Sequence, residues 1–215
     1  MPLRQAARVW ALVIGLFAAV PPAGGATTRV IDFEKDPAGS PIASGTEVTS
    51  QFAPWGVTFT SAPAPGASHV TTVVNYIPTT SGSNSVGPGG PSPNIGGTLI
   101  LSFNPAVVTV GSAILDDQMV VRITAKDPSG NVVGVATSNP DEPVDHWTLS
   151  TSSRAGITRV ELAGGYSSPG APDGWVIDDL RFEQVPEPGG ALLGTAALAL
   201  ALRRRRRPSP LSPAP

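Results

Sequence analysis

Residues 121–133 read Val121-Arg122-Ile123-Thr124-Ala125-Lys126-Asp127-Pro128-Ser129-Gly130-Asn131-Val132-Val133, and they give the clearest indication of the fold. Apolar and polar residues alternate as far as Lys126, which is the period of a strand with one solvated face. The four residues from Asp127 then place proline second and glycine fourth, as a type I turn prefers. The stretch therefore predicts an antiparallel hairpin.

Similar short runs, separated by turn residues, continue on both sides of this hairpin. No stretch of residues 27–184 has a convincing helical period. Short strands with one solvated face predict an all-β fold, an antiparallel β-sandwich or jelly roll. The predicted strands are residues 29–33, 56–60, 70–76, 98–103, 107–115, 119–126, 131–137, 146–150, 156–163 and 174–183.

Residues 79–97 differ from these runs because Ser, Gly, Pro and Asn dominate them and almost nothing is available to bury. The composition predicts a long loop across one end of the sandwich. Loops of this length often carry binding sites. A loop without a ligand is the alternative.

Composition limits how the fold is stabilised and what it binds. The chain contains no cysteine, so a packed core or a metal must replace disulfides. Residues 27–187 hold seven basic and sixteen acidic side chains, a net charge of −9. Nucleic acid is therefore not an expected partner, because neutralising phosphates requires clustered Lys and Arg.

The N-terminal 26 residues have the pattern of a secretory signal peptide. Arg4 and Arg8 precede a 12-residue apolar run, residues 9–20, and Pro21 and Pro22 end it. Such a run forms a short signal helix and is too short to span a membrane. Cleavage is predicted after Ala26, which makes the Sec machinery and signal peptidase partners. The alternative, a buried N-terminal helix, is disfavoured by the prolines.

The C-terminal end, residues 185–207, has the order of a sorting or anchor segment. Pro186, Glu187 and Pro188 end the last predicted strand, and an apolar run of 14 residues, 189–202, follows. At about 1.5 Å per residue a helix of this length reaches roughly 21 Å, short of the ~30 Å hydrocarbon layer. Five arginines follow the run: Arg203, Arg204, Arg205, Arg206 and Arg207. The positive-inside rule predicts that they stay on the cytoplasmic side of the membrane. Residues 208–215 are predicted to be a disordered tail.

This tail closely resembles the PEP-CTERM sorting signal of Gram-negative bacteria, which has the same three elements in the same order. The resemblance implies recognition by an exosortase, a membrane-embedded transpeptidase that cleaves near Pro-Glu-Pro. It further implies a precursor anchored in the inner membrane and a product at the cell surface or outside the cell. The short apolar run and the residues after Arg207 depart from the pattern. An ordinary single-span anchor is the alternative.

Two acidic pairs at the ends of the predicted domain form a candidate metal site. Alternation places Asp178 on one strand face with Val176, Leu180 and Phe182, which buries its carboxylate. A buried carboxylate requires hydrogen-bond donors, a basic partner or a cation. If the first and last strands are neighbours, four carboxylates converge, and their oxygens suit Ca²⁺. The candidate ligands are Asp32, Glu34, Asp178 and Asp179; a hydrogen-bonded aspartate without metal is the alternative.

The predicted domain, residues 27–184, also resembles carbohydrate-binding modules of the galactose-binding-like class and the jelly-roll domains of PEP-CTERM proteins. The resemblance lies in the opening Asp32-Phe33-Glu34, the segment Trp55-Gly56-Val57-Thr58-Phe59, the hairpin, and the closing Ile177-Asp178-Asp179-Leu180-Arg181-Phe182. It implies a structural calcium with Glu34 and Asp179 as first candidates and Asp32 and Asp178 behind them.

Other residues give little support for catalysis. Asp116 and Asp117 predict a turn, since neighbours on a strand point to opposite faces. Asp145-His146 suggests a base with an orienting carboxylate, yet no nucleophile motif accompanies it. No catalytic residue is therefore assigned, and an enzyme is not expected. The aromatic residues that would stack on sugars if exposed are Trp55, Trp147, Trp175, Tyr76 and Tyr166. Because the chain has so few aromatic residues, a place in the core or at its rim is the favoured interpretation for most of them.

Together these features predict an exported, non-catalytic β-sandwich at the cell surface or in the extracellular matrix. The leading hypothesis is a module that binds extracellular polysaccharide. A purely structural or adhesive surface protein is the second hypothesis. A polysaccharide hydrolase that uses Asp145, His146 and a carboxylate in a groove is the third.

Overall fold

The computed structural model describes residues 26–63, 72–75, 79–88, 97–115, 120–164 and 174–184. All strand pairings among these residues are antiparallel, which confirms the predicted all-β antiparallel class. A 3-10 turn, Ala53–Trp55, precedes the second strand. The strands are β1 (Thr28–Ile31), β2 (Val57–Pro63), β3 (Thr72–Asn75), β4 (Asn84–Gly87), β5 (Gly97–Leu115), β6 (Arg122–Lys126), β7 (Val132–Thr137), β8 (Val144–Ser150), β9 (Ile157–Gly164) and β10 (Val176–Gln184).

Strand β5 joins the two sheets of a sandwich because it is 19 residues long and changes partners halfway. Its first half pairs with β2 and β9, and its second half pairs with β10 and β8. Sheet one therefore has the order β2-β5-β9-β6-β7, and sheet two has the order β3-β4-β10-β5-β8 with β1 also beside β10. The two strands predicted at 98–103 and 107–115 are thus one strand.

The core lies between the two sheets and is filled by alternate residues of both. Leu99, Leu101 and Phe103 of β5 face inward, while the residues between them are partly exposed. Phe103 of sheet one and Phe182 of sheet two pack with ring centroids 5.3 Å apart. Burial on this scale stabilises the fold by roughly 1.5–3 kcal/mol per large apolar side chain.

The predicted hairpin forms as β6 and β7. The amide N–H of Gly130 donates to the carbonyl oxygen of Asp127 at 3.0 Å, as the predicted four-residue turn requires. The Asp127 carboxylate accepts hydrogen bonds from the amides of Ser129 and Asn131, both at 2.9 Å. The Asn131 side chain also donates to it, and this bond is the main reason why the pKa of Asp127 lies below its ordinary value.

Part of the predicted 79–97 loop is instead a buried strand, β4. Its Val86 pairs with Ile177 of β10 and belongs to the core. Asn84 is also buried. Its side-chain amide donates hydrogen bonds to the carbonyl oxygens of Phe33 at 3.2 Å and Ile42 at 2.9 Å. Because these polar groups have hydrogen-bond partners, this polar segment can be buried at little cost in free energy. Composition alone therefore predicted the wrong local structure.

Several predictions lie outside the described residues. They concern residues 1–25 of the signal peptide, the Asp116-Asp117 turn, Tyr76, Tyr166 and everything from residue 185 onward, including the sorting signal. Among the described residues, no helix has the length and apolar composition needed to cross a membrane.

Candidate ligand groove and the acidic cluster beside it

A groove of about 440 Å³ lies on the outer face of sheet two, where β1, β10, β5 and β8 run side by side. Its middle is low because β5 carries Gly111 and Ala113 there. Gly111 pairs with Arg181 on one side and with Thr148 on the other. Antiparallel register thus brings together residues that lie 37 and 70 positions from Gly111 along the chain.

Gly111 has no room for a side chain. A Cβ at this position would lie 2.6 Å from the carbonyl oxygen of Trp147 and 2.8 Å from the hydroxyl oxygen of Thr148. The close approach of β8 to β5 therefore depends on glycine.

The walls of the groove carry both hydrogen-bond donors and acceptors. Arg181, whose side chain is 66% exposed, stands on β10 with Asp179 and Glu183. Thr148 and His146 face them from β8. A groove whose surface is mainly apolar and whose walls carry both kinds of group can bind a ligand rich in hydroxyls.

The tryptophan rings predicted for sugar stacking do not face the groove. Trp147 lines it, yet its ring belongs to the core and the residue is only 4% exposed. Trp175 is 1% exposed. Trp55 is partly buried against the core, with the guanidinium of Arg29 5.7 Å from its ring centre. The core interpretation is therefore correct for Trp147 and Trp175, and Trp55 lies at the rim of the core.

The Asp145-His146 pair does not form the orienting dyad that a hydrolase would need. The Asp145 carboxylate accepts a hydrogen bond from the amide of Asn139 at 2.8 Å, which holds the turn before β8. The two residues are neighbours on a strand, so their side chains leave from opposite faces. His146 lines the groove without Asp145.

Asp178 is completely buried, as predicted, but its surroundings differ from the prediction. A register shift between Asp178 and Arg181 interrupts the alternation, and Asp179 has a φ of 51°. Leu180 and Phe182 consequently face the main core, whereas Val176 packs in a separate small cluster. Asp178 pairs with Ala113 of β5.

Donors from residues 79–84, called the 79–84 segment below, satisfy the Asp178 carboxylate. Its Oδ2 accepts hydrogen bonds from the amide of Thr80 at 3.0 Å, the hydroxyl of Thr80 at 2.8 Å and the amide of Ser81 at 3.0 Å. Its Oδ1 accepts from the amide of Asp179 at 2.7 Å. Thr80 and Ser81 are 98 and 97 residues away along the chain, and sequence reasoning missed them.

Burial raises the pKa of Asp178, although the donors from Ser81 and Thr80 oppose that shift. Since the folded pKa exceeds the unfolded one, protonation favours the folded state. This contribution is complete below the ordinary Asp pKa and is lost as pH rises through the folded pKa.

The other three predicted calcium ligands are divided between this segment and a local turn. Glu34 Oε1 accepts hydrogen bonds from the amides of Ser83 and Asn84, the latter at 2.7 Å. Asp179 Oδ1 accepts from the hydroxyl of Ser81 at 2.7 Å. Asp32 instead accepts from the amide of Glu34 at 3.1 Å. Three of the four carboxylates therefore meet at the 79–84 segment.

The described residues contain no group of three or more acidic, His or Cys side chains arranged to hold a metal ion. The calcium site stays a prediction. The observed arrangement is named here the carboxylate clamp: Glu34, Asp178 and Asp179 holding the 79–84 segment.

No family model and no curated protein matches the chain. A solved family 29 carbohydrate-binding module is similar to it, with 15% identity and a TM-score of 0.39 over 74% of this chain and 90% of the module. A variant of such a module, complexed with mannohexaose, shares 14% identity at a TM-score of 0.37, over 74% of this chain and 93% of its own. The enzymatically active domain of bacteriophage CBA120 tailspike protein 4 shares 13% identity at 0.40, over 68% of this chain and 22% of its own. These values are too low to identify a ligand or a reaction.

Proposed function

We propose that this chain is an exported, non-catalytic protein of the cell surface or extracellular matrix that binds polysaccharide in the groove of sheet two. The observation that carries the proposal is the groove itself, a depression over Gly111 and Ala113 with polar side chains along its walls. Its walls combine the Arg181 guanidinium with carboxylates and threonine hydroxyls, which is a suitable set for sugar hydroxyl groups.

A binding role agrees better with this geometry than hydrolysis does. Hydrolysis of a glycosidic bond requires an acid and a second group on opposite sides of the bond. The hydrolase hypothesis needs the Asp145 carboxylate beside His146. This carboxylate instead accepts a hydrogen bond from the backbone amide of Asn139. The groove is therefore proposed as a binding site.

Export is the second half of the proposal and is supported by the sequence alone. Residues 1–26 supply the signal peptide, and residues 185–207 supply the PEP-CTERM-like tail. The proposed route runs through the Sec machinery and signal peptidase to an inner-membrane precursor, which an exosortase then processes in a Gram-negative cell.

A structural or adhesive role is the second candidate, and strand β7 favours it. This strand lies at the end of sheet one and pairs with β6 on one side. It has no charged residue, and its Val132 and Val135 are 56% and 47% exposed. Uncharged edge strands of this kind favour strand-to-strand association between molecules.

Affinity electrophoresis of the purified chain through gels containing mannan, hydroxyethylcellulose or alginate tests the groove. We expect at least one polysaccharide to slow the protein, and Arg181→Ala to weaken that binding about tenfold or more, equal to ~1.4 kcal/mol. Arg122→Ala is the matched control, because Arg122 is an exposed arginine of sheet one. Equal retardation of both variants would reject the groove as the site. No retardation by any polysaccharide, together with self-association, would favour the structural role.

A further inference from the structure

The carboxylate clamp joins three parts of the chain that are far apart in sequence. Glu34 follows β1, Asp178 and Asp179 belong to β10, and the 79–84 segment leads into β4. The hydrogen bonds from this segment to Asp178 span 97 and 98 residues. The clamp therefore fixes the ends of the domain to its middle.

The carboxylates of the clamp face N–H and O–H groups. Asp178 is 0% exposed. Its two carboxylate oxygens accept hydrogen bonds from the backbone amides of Thr80, Ser81 and Asp179 and from the Thr80 hydroxyl. The Glu34 carboxylate accepts two further hydrogen bonds, from the backbone amides of Ser83 and Asn84. Each donor points its positively polarised hydrogen at the carboxylate, where a cation would have to bind.

Calcium does not fit this arrangement. It requires roughly six to eight oxygen ligands around one point, with lone pairs directed at the ion. Here the lone pairs of Asp178 and Glu34 are already directed at amide hydrogens. In addition, a side chain at Gly82, whose φ is 56°, would collide with the Glu34 carboxylate. The 79–84 segment therefore fills the space beside Glu34 with its own backbone.

We infer that the 79–84 segment occupies the place of a structural cation, so that its donors hold Glu34, Asp178 and Asp179 together and the sandwich is stable without calcium. Ser81 is central to this arrangement. Its hydroxyl lies 2.7 Å from Asp179 Oδ1 and 3.5 Å from Asp178 Oδ1, between two neighbouring carboxylates that would otherwise repel each other.

Thermal unfolding of the full chain tests this inference. The midpoint Tm is measured after exhaustive treatment with EDTA and again with excess CaCl2. We expect the same Tm in both conditions, because no cation contributes to the fold. A Tm that falls in EDTA and recovers in CaCl2 would overturn the inference. This comparison uses the unsubstituted chain, so it does not depend on any variant folding.

The variant Thr80→Val tests the donors themselves. It keeps the size of the side chain and removes the hydroxyl that donates to Asp178 at 2.8 Å. We expect its Tm to fall by several degrees, equally in EDTA and in CaCl2. Thr137→Val is the matched control, since Thr137 is exposed at the end of β7 and should melt as the unsubstituted chain does. Identical melting of the two variants would also overturn the inference.

Discussion

At the scale of single residues, the groove depends on the absence of one side chain. Gly111 lies where β5 and β8 approach closely, whereas Gly134 of β7 faces Leu149 across the core with 3.4 Å between an added Cβ and the Leu149 Cδ2. The two glycines share a strand environment, but only the first would collide with backbone. The two positions therefore differ in the room available for a Cβ atom and not in backbone conformation.

We predict that Gly111→Ala lowers the free energy of unfolding by about 1–3 kcal/mol, because an extra methyl must push β8 away. Gly134→Ala should be neutral or stabilise by about 0.4–1 kcal/mol, since alanine reduces the entropy of the unfolded chain. Urea unfolding of both variants measures the difference. Equal losses in the two would show that strand glycines matter here for another reason.

Glu161 provides a pH-dependent contribution. It accepts hydrogen bonds from Lys126 Nζ at 2.8 Å and Arg159 Nε at 2.6 Å, and its side chain is 23% exposed. The bond from Lys126, followed by the interaction with Arg159, lowers the pKa of Glu161 against the opposing effect of burial. Since the folded pKa is depressed, this stabilisation is present above the ordinary Glu pKa and is lost as pH falls through the folded value.

Glu161→Gln should therefore cost about 1 kcal/mol near neutral pH, and the difference from the unsubstituted chain should vanish in acid. Urea unfolding at a series of pH values measures it. Glu47→Gln, at an exposed position, controls for the loss of one negative charge from an acidic domain. A difference that persists at low pH would exclude ionisation of Glu161 as its cause.

At the scale of elements, the β6–β7 hairpin depends on its turn. Gly130 has a φ of 83°, and an added Cβ would find no atom within 4 Å. Gly130→Ala should thus cost about 1–2 kcal/mol through backbone strain alone. Gly130→Asn should cost less, because asparagine tolerates the left-handed conformation. Chemical denaturation ranks the two variants, and an asparagine variant that is no more stable than alanine would contradict this explanation.

The hairpin could be predicted from the sequence because its alternation and its turn residues are contiguous. The sequence predicted two strands, 98–103 and 107–115, where the structure has the single strand β5, because only tertiary pairing shows that its two halves belong to different sheets. Strand β4 was missed for a similar reason. Its burial depends on Asn84 finding acceptors at Phe33 and Ile42, and no local pattern reports that.

At the scale of the whole molecule, the candidate site was predicted only in part. The burial of Asp178 followed from the pattern of β10, and its need for partners followed from electrostatics. The identity of those partners, and the meeting of Arg181, Gly111 and Thr148 in one row, depend on how the sheets are ordered. Long-range topology therefore decides both the clamp and the groove.

The two terminal segments lead to the last prediction, which concerns export. Expressed in a Gram-negative host that carries an exosortase, the chain should appear outside the cytoplasm without residues 1–26 and without the tail that follows Pro186-Glu187-Pro188. Intact-mass spectrometry of the exported product shows both ends at once.

Replacing Glu187 with Gln, or the five arginines with serine, should leave the N-terminal cleavage unchanged and cause the C-terminal segment to be retained. Full-length chain in the cytosol of that host would contradict export, whereas an N-terminally processed product with its tail intact would contradict exosortase processing alone.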